Sequence, residues 1–109
     1  MVVSPNNLHG LQLMKPSVVF EANRTLIREI VLAHNALNPR VFGSVMKGCD
    51  TESSDLDLLI EPTPDTTLFD IGAIRHELIK LLGVKVDVVT PNALPGSFRS
   101  QILAEAKPV

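Results

Sequence analysis

The sequence predicts a mixed α+β (α/β) domain, a small mixed sheet flanked by helices, and three observations carry that prediction. Residues 17–37 and 66–82 repeat apolar side chains at spacings of three and four, the period of an amphipathic helix. Residues 55–61 and 84–90 are short apolar runs with alternating acids and are stopped by prolines, the pattern of strands. Helical and strand patterns also interleave, in the order α-β-β-α-β-α, which places helices against a shared sheet.

The elements follow in chain order. Residues 1–13 show no sustained period and contain Pro5, Asn6, Asn7 and Gly10, so they are expected to form a flexible N-terminal arm, with residues 14–109 as the domain and Met14 a possible alternative start. The first helix is expected from Ser17, as N-cap, to about Leu37, with Val19, Ala22, Leu26, Ile30, Ala33 and Leu37 on its buried stripe and Asn38-Pro39 ending it. Residues 40–42 form a strand that runs into Gly43-Ser44, a helical turn over 45–48 and a polar loop over 49–54. Residues 55–61 are the second strand, closed by Pro62 and Pro64. The second helix, 66–82, sets Leu68, Ile71, Ile74 or Arg75, Leu78 and Leu82 on the helical period and ends at Gly83, where a left-handed residue belongs. Residues 84–90 are the third strand, stopped by Pro91. The last helix, about 97–106, is expected to bury Phe98 and Ile102, with Leu103 as a further candidate.

Composition bounds the function. A length of 109 residues fits one domain, and 45% apolar residues suffice for a packed core. Four Phe, no Tyr and no Trp imply an aliphatic core and no aromatic platform for nucleic-acid bases. Ten basic and twelve acidic side chains give a net charge of −2, without the basic face that holds a long nucleic acid. The single Cys49 excludes an intramolecular disulfide and no Cys/His cluster suggests zinc, so it reads as a loop thiol. Neither a signal pattern nor an apolar run of about 20 residues is present, so the cytoplasm is the expected location.

Three features converge on one chemistry. Gly43-Ser44 stands at a strand end before a helical turn, where the backbone can approach a phosphate and the free N–H groups and the Ser44 hydroxyl form an anion site. Capping is the alternative role for Ser44, and Lys47 adds a positive charge within reach. Asp55 and Asp57 share one face of a strand while Leu56 and Leu58 enter the core. Two carboxylates about 6–7 Å apart at Cα are costly without a cation between them, and Mg²⁺ suits oxygen ligands shared with phosphates. Asp87 is the third acid, on a strand whose Val84, Val86 and Val88 face the other way. If that strand lies beside residues 55–61, the three aspartates form one metal-binding, catalytic cluster of the two-metal phosphoryl-transfer kind, with pyrophosphate as leaving group. By contrast, His9, His34 and His76 read as surface residues, Arg40 as the partner of a surface acid, and Asp50 and Glu52 as solvated loop acids.

Gly43-Ser44, ten intervening residues, then Asp55-x-Asp57 resembles the signature of the minimal nucleotidyltransferases of the DNA polymerase β superfamily. The flanks agree: Asn38-Pro39-Arg40-Val41-Phe42 before, Leu58-Leu59-Ile60 after, and Val86-Asp87-Val88-Val89-Thr90 downstream. The resemblance covers nearly everything from Met14 onward. One departure is that relatives often carry two arginines just after the Gly-Ser, where this chain has Val45 and only Lys47. The resemblance implies the nucleotidyltransferase fold, Gly43, Ser44 and Lys47 as nucleotide-binding residues, and Asp55, Asp57 and Asp87 as metal-binding, catalytic ones. It further implies an antitoxin that transfers AMP from ATP onto a tyrosine of a HEPN-family toxin. Larger relatives carry a second domain for the acceptor, so a protein partner is expected to present it here. The competing expectations are an antitoxin that only masks its partner and an enzyme modifying a small molecule such as an aminoglycoside.

Overall fold

The computed structural model describes residues 14–109; the expected N-terminal arm and His9 lie outside the described residues. The chain runs α1 (Pro16–Ala22), α2 (Arg24–Ala33), β1 (Ala36–Phe42), α3 (Gly43–Lys47), β2 (Leu56–Pro62), α4 (Leu68–Leu82), β3 (Val86–Val89), a 3-10 turn (Pro91–Ala93), α5 (Gly96–Glu105) and β4 (Lys107–Pro108). Four strands form a mixed sheet in the order β3-β2-β1-β4. β1 is antiparallel to β2 and to β4, and β2 is parallel to β3. The mixed α+β class expected from the sequence is therefore observed. The parallel pair is joined through α4 as a βαβ unit, because two parallel strands need a long crossover.

One face of the sheet packs the main core, and on the other Leu59 of β2 is also fully buried. Leu56, Leu58 and Ile60 of β2 and Val86 and Val88 of β3 enter a core with Phe20, Ile27 and Val31 of α1 and α2 and Ile74, Leu78 and Leu82 of α4. Strand alternation sends Asp57 and Asp87 to the opposite face. α4 begins with a capping box in which Thr67 and Asp70 each bond the other's backbone N–H, and it ends at Gly83 with φ +69, as its position predicts. Across the helix layer, His34 bonds Glu77 and so ties the end of α2 to α4 rather than standing free on the surface.

The first helical segment departs most from expectation. It opens at Pro16 after Lys15, whose own side chain makes no capping bond, so Ser17 is not the N-cap. It breaks at Asn23, whose side-chain amide bonds the Val19 carbonyl at 2.8 Å, and α2 stops at Ala33. The break resets the helical phase. Phe20, Ile27 and Val31 become the buried stripe, while Ala22, Leu26 and Ala33 are exposed. Leu37 lies in β1, not in a helix. Asn35 and Asn38 adopt positive φ, 61° and 49°, a conformation asparagine tolerates better than most side chains. Asn38-Pro39 falls where the β1–β2 register slips between Leu37 and Arg40, so the proline sits in a bulge and extends a strand that it was expected to precede.

Two further expectations fail. Leu68 is exposed at the start of α4, and α5 buries no residue at all: Phe98 is 56% exposed and Ile102 half-buried. β4, absent from the sequence reading, is a two-residue edge. Arg24 bonds its Pro108 carbonyl at 2.9 Å, Arg28 bonds the Val109 carbonyl at 2.8 Å, and the Val109 N–H donates to the Pro39 carbonyl at 3.0 Å.

Candidate active site

β1 ends at Phe42, and the chain turns through Gly43, φ +74, into α3. A side chain is excluded there twice. The φ lies in the left-handed region, and an added Cβ would stand 2.3 Å from Asp57 Oδ2. The turn's backbone is thus pressed against a carboxylate of the neighbouring strand. α3 carries no side-chain cap, so Ser44 is not committed to capping and stays in the first turn. Lys47 is exposed in the last turn of α3 and lines a concavity with Gly43.

Asp57 and Asp87 are direct partners in the parallel β2–β3 register, and the Leu56 N–H bonds the Lys85 carbonyl at 2.9 Å just before them. Adjacent strands lie about 5 Å apart, so the two side chains stand next to each other on the open face. Asp55 precedes β2 and is exposed; Asp57 is half-buried; Asp87 is exposed. Burial, then the charges of Asp87 and Asp55, push the Asp57 carboxyl up from 3.8 to about 6. The three predicted acids are therefore one electrostatic unit with Asp57 at its centre.

That unit has a donor set suited to Mg²⁺: oxygen atoms only, and a carboxylate whose ionisation is suppressed by burial and by like charges that a cation would offset. Among the described residues no three acidic, His or Cys side chains close on a single point. Two concavities flank the acids. One, of about 320 Å³, opens beside Gly43 and Lys47 towards α5. The other, of about 450 Å³, is bounded by Asp55 and Asp87 together with Arg75, Ile79 and Lys85.

The remaining candidates sort clearly. Arg40 pairs with Glu61 as expected, although its Nε is buried without a partner. Glu52 and Cys49 are exposed. Asp50, expected as a solvated loop acid, is instead only 6% exposed and accepts the Ser17 backbone N–H at 2.8 Å, thereby capping α1. Burial pushes its carboxyl up, but the Ser17 N–H and hydroxyl, its own N–H and Lys15 outweigh this and hold it below the usual 3.8. No local signal announces that role, because its partner lies 33 residues away. Arg75 was also missed; its place beside the acids arises only when α4 packs against β3.

Residues 25–109 match the sequence profile of the nucleotidyltransferase domain. A candidate protein adenylyltransferase of Methanocaldococcus jannaschii is 35% identical over 86 residues, 79% of this chain and 91% of that protein. A solved candidate minimal nucleotidyltransferase superposes with a TM-score of 0.77 at 39% identity, covering 85% of this chain and 95% of that one. A chain of a toxin–antitoxin crystal structure with AMP-PNP shares the fold, with a TM-score of 0.67 at 18% identity over 79% of this chain and 71% of that one.

Proposed function

The chain belongs to the nucleotidyltransferase domain family, and from that premise we propose that it is a cytoplasmic protein adenylyltransferase that moves AMP from ATP, with Mg²⁺, onto a HEPN-family toxin and thereby acts as its antitoxin. The observation that carries the reading is Asp57 in register with Asp87, with the Gly43 backbone packed on its carboxylate. An acid held in such company is costly to the fold, and a cation that also gathers a triphosphate explains why it is kept. The adenylyl specificity is supported by the 35%-identical relative, and the toxin partner by the fold shared with the toxin–antitoxin chain.

The roles divide across the open face. The Gly43–Ser44 turn and Lys47 hold the phosphates, and Asp55, Asp57 and Asp87 would hold the metal. When bound, Mg²⁺ offsets the charge of phosphates and carboxylates and lowers the pKa of an acceptor hydroxyl. Asp87 lies on the outer strand and lines the second concavity, and the reading assigns it to the acceptor. There it orients the acceptor hydroxyl and accepts its proton as the oxygen bonds to the α-phosphorus; the bridging bond to the β-phosphate breaks and pyrophosphate leaves. Arg75 and Lys85 border the same concavity and are placed to draw the acceptor segment in.

Mass spectrometry of the toxin after incubation with this protein, ATP and Mg²⁺ tests the proposal. The toxin gains AMP with wild type and not with Asp55→Ala/Asp57→Ala. No adenylylated toxin with wild type would sink the reading. Neutralisation that survives the double substitution would show that the protein works by masking.

A further inference from the structure

We propose that the concavity between the Gly43–Lys47 turn and α5 holds the nucleobase of the donor nucleotide, with Phe98 as its stacking surface and an acceptor-lined wall that selects a base bearing an exocyclic amine. The proposal rests on the nucleotidyl-transfer reading and adds to it the part of the donor that the aspartates do not touch.

Phe98 is the starting point. It is 56% exposed on a helix none of whose residues is buried, so packing does not account for the ring. Its side chain lines a concavity of about 320 Å³ whose other wall carries Gly43 and Lys47. That volume lies at the small end of the range of ligand pockets, enough for part of a nucleotide. Gly43 fixes one end of the concavity against Asp57, the centre of the acid cluster.

The charges on the two walls assign the direction of the ligand. Lys47 stands on the Gly43 side, where phosphates would be neutralised. Glu105 stands on the α5 side with Gln101 and Ile102, and its carboxylate repels a phosphate. The triphosphate is thereby confined to the Gly43–Lys47 end, and the flat, uncharged end of the donor meets Phe98 and Ile102. Bases stack on a phenylalanine through their π-faces, so this contact supplies affinity. Selection comes from the polar pair. Gln101 Nε2 donates to Glu105 Oε2 at 3.4 Å, which leaves on Gln101 one N–H donor and the Oε1 acceptor, and on Glu105 a second oxygen that can only accept. That charged acceptor favours an edge that donates. Adenine presents its N6 amine, whereas hypoxanthine presents an oxygen at the same position.

Calorimetric titration of the full chain with Mg-ATP, Mg-ITP and magnesium tripolyphosphate tests this, using wild type, Phe98→Ala and Phe98→Tyr. The expected result is an ATP affinity about 10-fold weaker in Phe98→Ala, restored in Phe98→Tyr, with tripolyphosphate binding unchanged. Wild type is also expected to bind ATP more tightly than ITP, and Glu105→Gln to narrow that gap. Equal ATP affinity in wild type and Phe98→Ala would overturn the proposal, as would a parallel loss for tripolyphosphate. A Phe98→Ala defect confined to toxin capture would also overturn it, because the ring would then serve a protein contact. The titrations read binding alone, so the expected pattern alongside absent transfer to the toxin would sink the catalytic reading and leave the nucleobase site standing.

Discussion

Asp50 and Asp57 are two carboxylates withdrawn from water at opposite ends of one loop, and their surroundings drive them in opposite directions. Asp50 accepts a backbone N–H from Ser17 and is held below its ordinary pKa. Asp57 is raised to about 6 by burial first and then by the like charges of Asp87 and Asp55 beside it. A hydrogen-bonded acid that the fold satisfies is a structural part: it fastens the start of α1 to the loop before β2. An acid that the fold leaves in like-charge company is a liability until something positive arrives. The contrast separates support from chemistry more sharply than burial does, since Asp50 is the more buried of the two.

The comparison can be broken at three points. Gly43→Ala carries the largest expected effect, because the new Cβ must displace the Asp57 carboxylate and adopt a positive φ. Pyrophosphate release should fall by more than the ~100-fold typical of losing a partner around a metal, with folding weakened by about 1–3 kcal/mol. Near-normal activity would show that the turn does not set the position of Asp57.

Asp50→Ala should cost about 1–3 kcal/mol of unfolding free energy by leaving the Ser17 N–H unpaired, while kcat at low temperature stays unchanged. The Asp50 contribution is present above its unfolded value of 3.8 and is lost as pH falls through its lower folded value. Denaturant titrations at pH 7 and below pH 4 check both parts; a kcat loss at full folding would give Asp50 a part in the chemistry.

Asp57→Asn should have the smallest effect and the opposite sign. In Mg²⁺-free buffer it is expected to stabilise the fold at pH 7 by on the order of 1 kcal/mol, after allowance for solvent screening. The sign follows from the folded pKa of about 6 lying above the unfolded 3.8: the native state binds the proton more tightly, so the wild type loses stability as pH rises through that window. Thermal unfolding from pH 4 to pH 8 should show the mutant's advantage growing to about pH 6 and then levelling. A flat difference would mean that neither burial nor the neighbouring charges raise the Asp57 carboxyl.

How far the sequence announced this arrangement depends on how local each signal is. Asp57 was legible because its neighbours Leu56 and Leu58 fix its face, and Val86-Asp87-Val88 because valines on both sides do the same; Asp55, expected on the same strand, stands just before it. Gly83 was legible because a helix end asks for a left-handed residue. The break at Asn23, the strand beginning at Ala36 and the proline in a bulge were not, since each depends on a partner across the fold. The four phenylalanines show the same limit: composition pointed to an aliphatic core without a stacking surface, yet Phe20 is core while Phe69 and Phe98 are exposed.

The sequence by itself determined the mixed class, the spacing of Gly43-Ser44 from Asp55 and Asp57, and the face on which Asp57 and Asp87 stand, because alternation and capping act over a few residues. Only the tertiary structure decided that Asp87 lies in register with Asp57, that Gly43 meets a carboxylate, and that Asp50 caps a helix 33 residues away. Strand order, helix phase and the approach of separate segments are set by which apolar faces pack together, and no window along the chain contains both partners of such a contact.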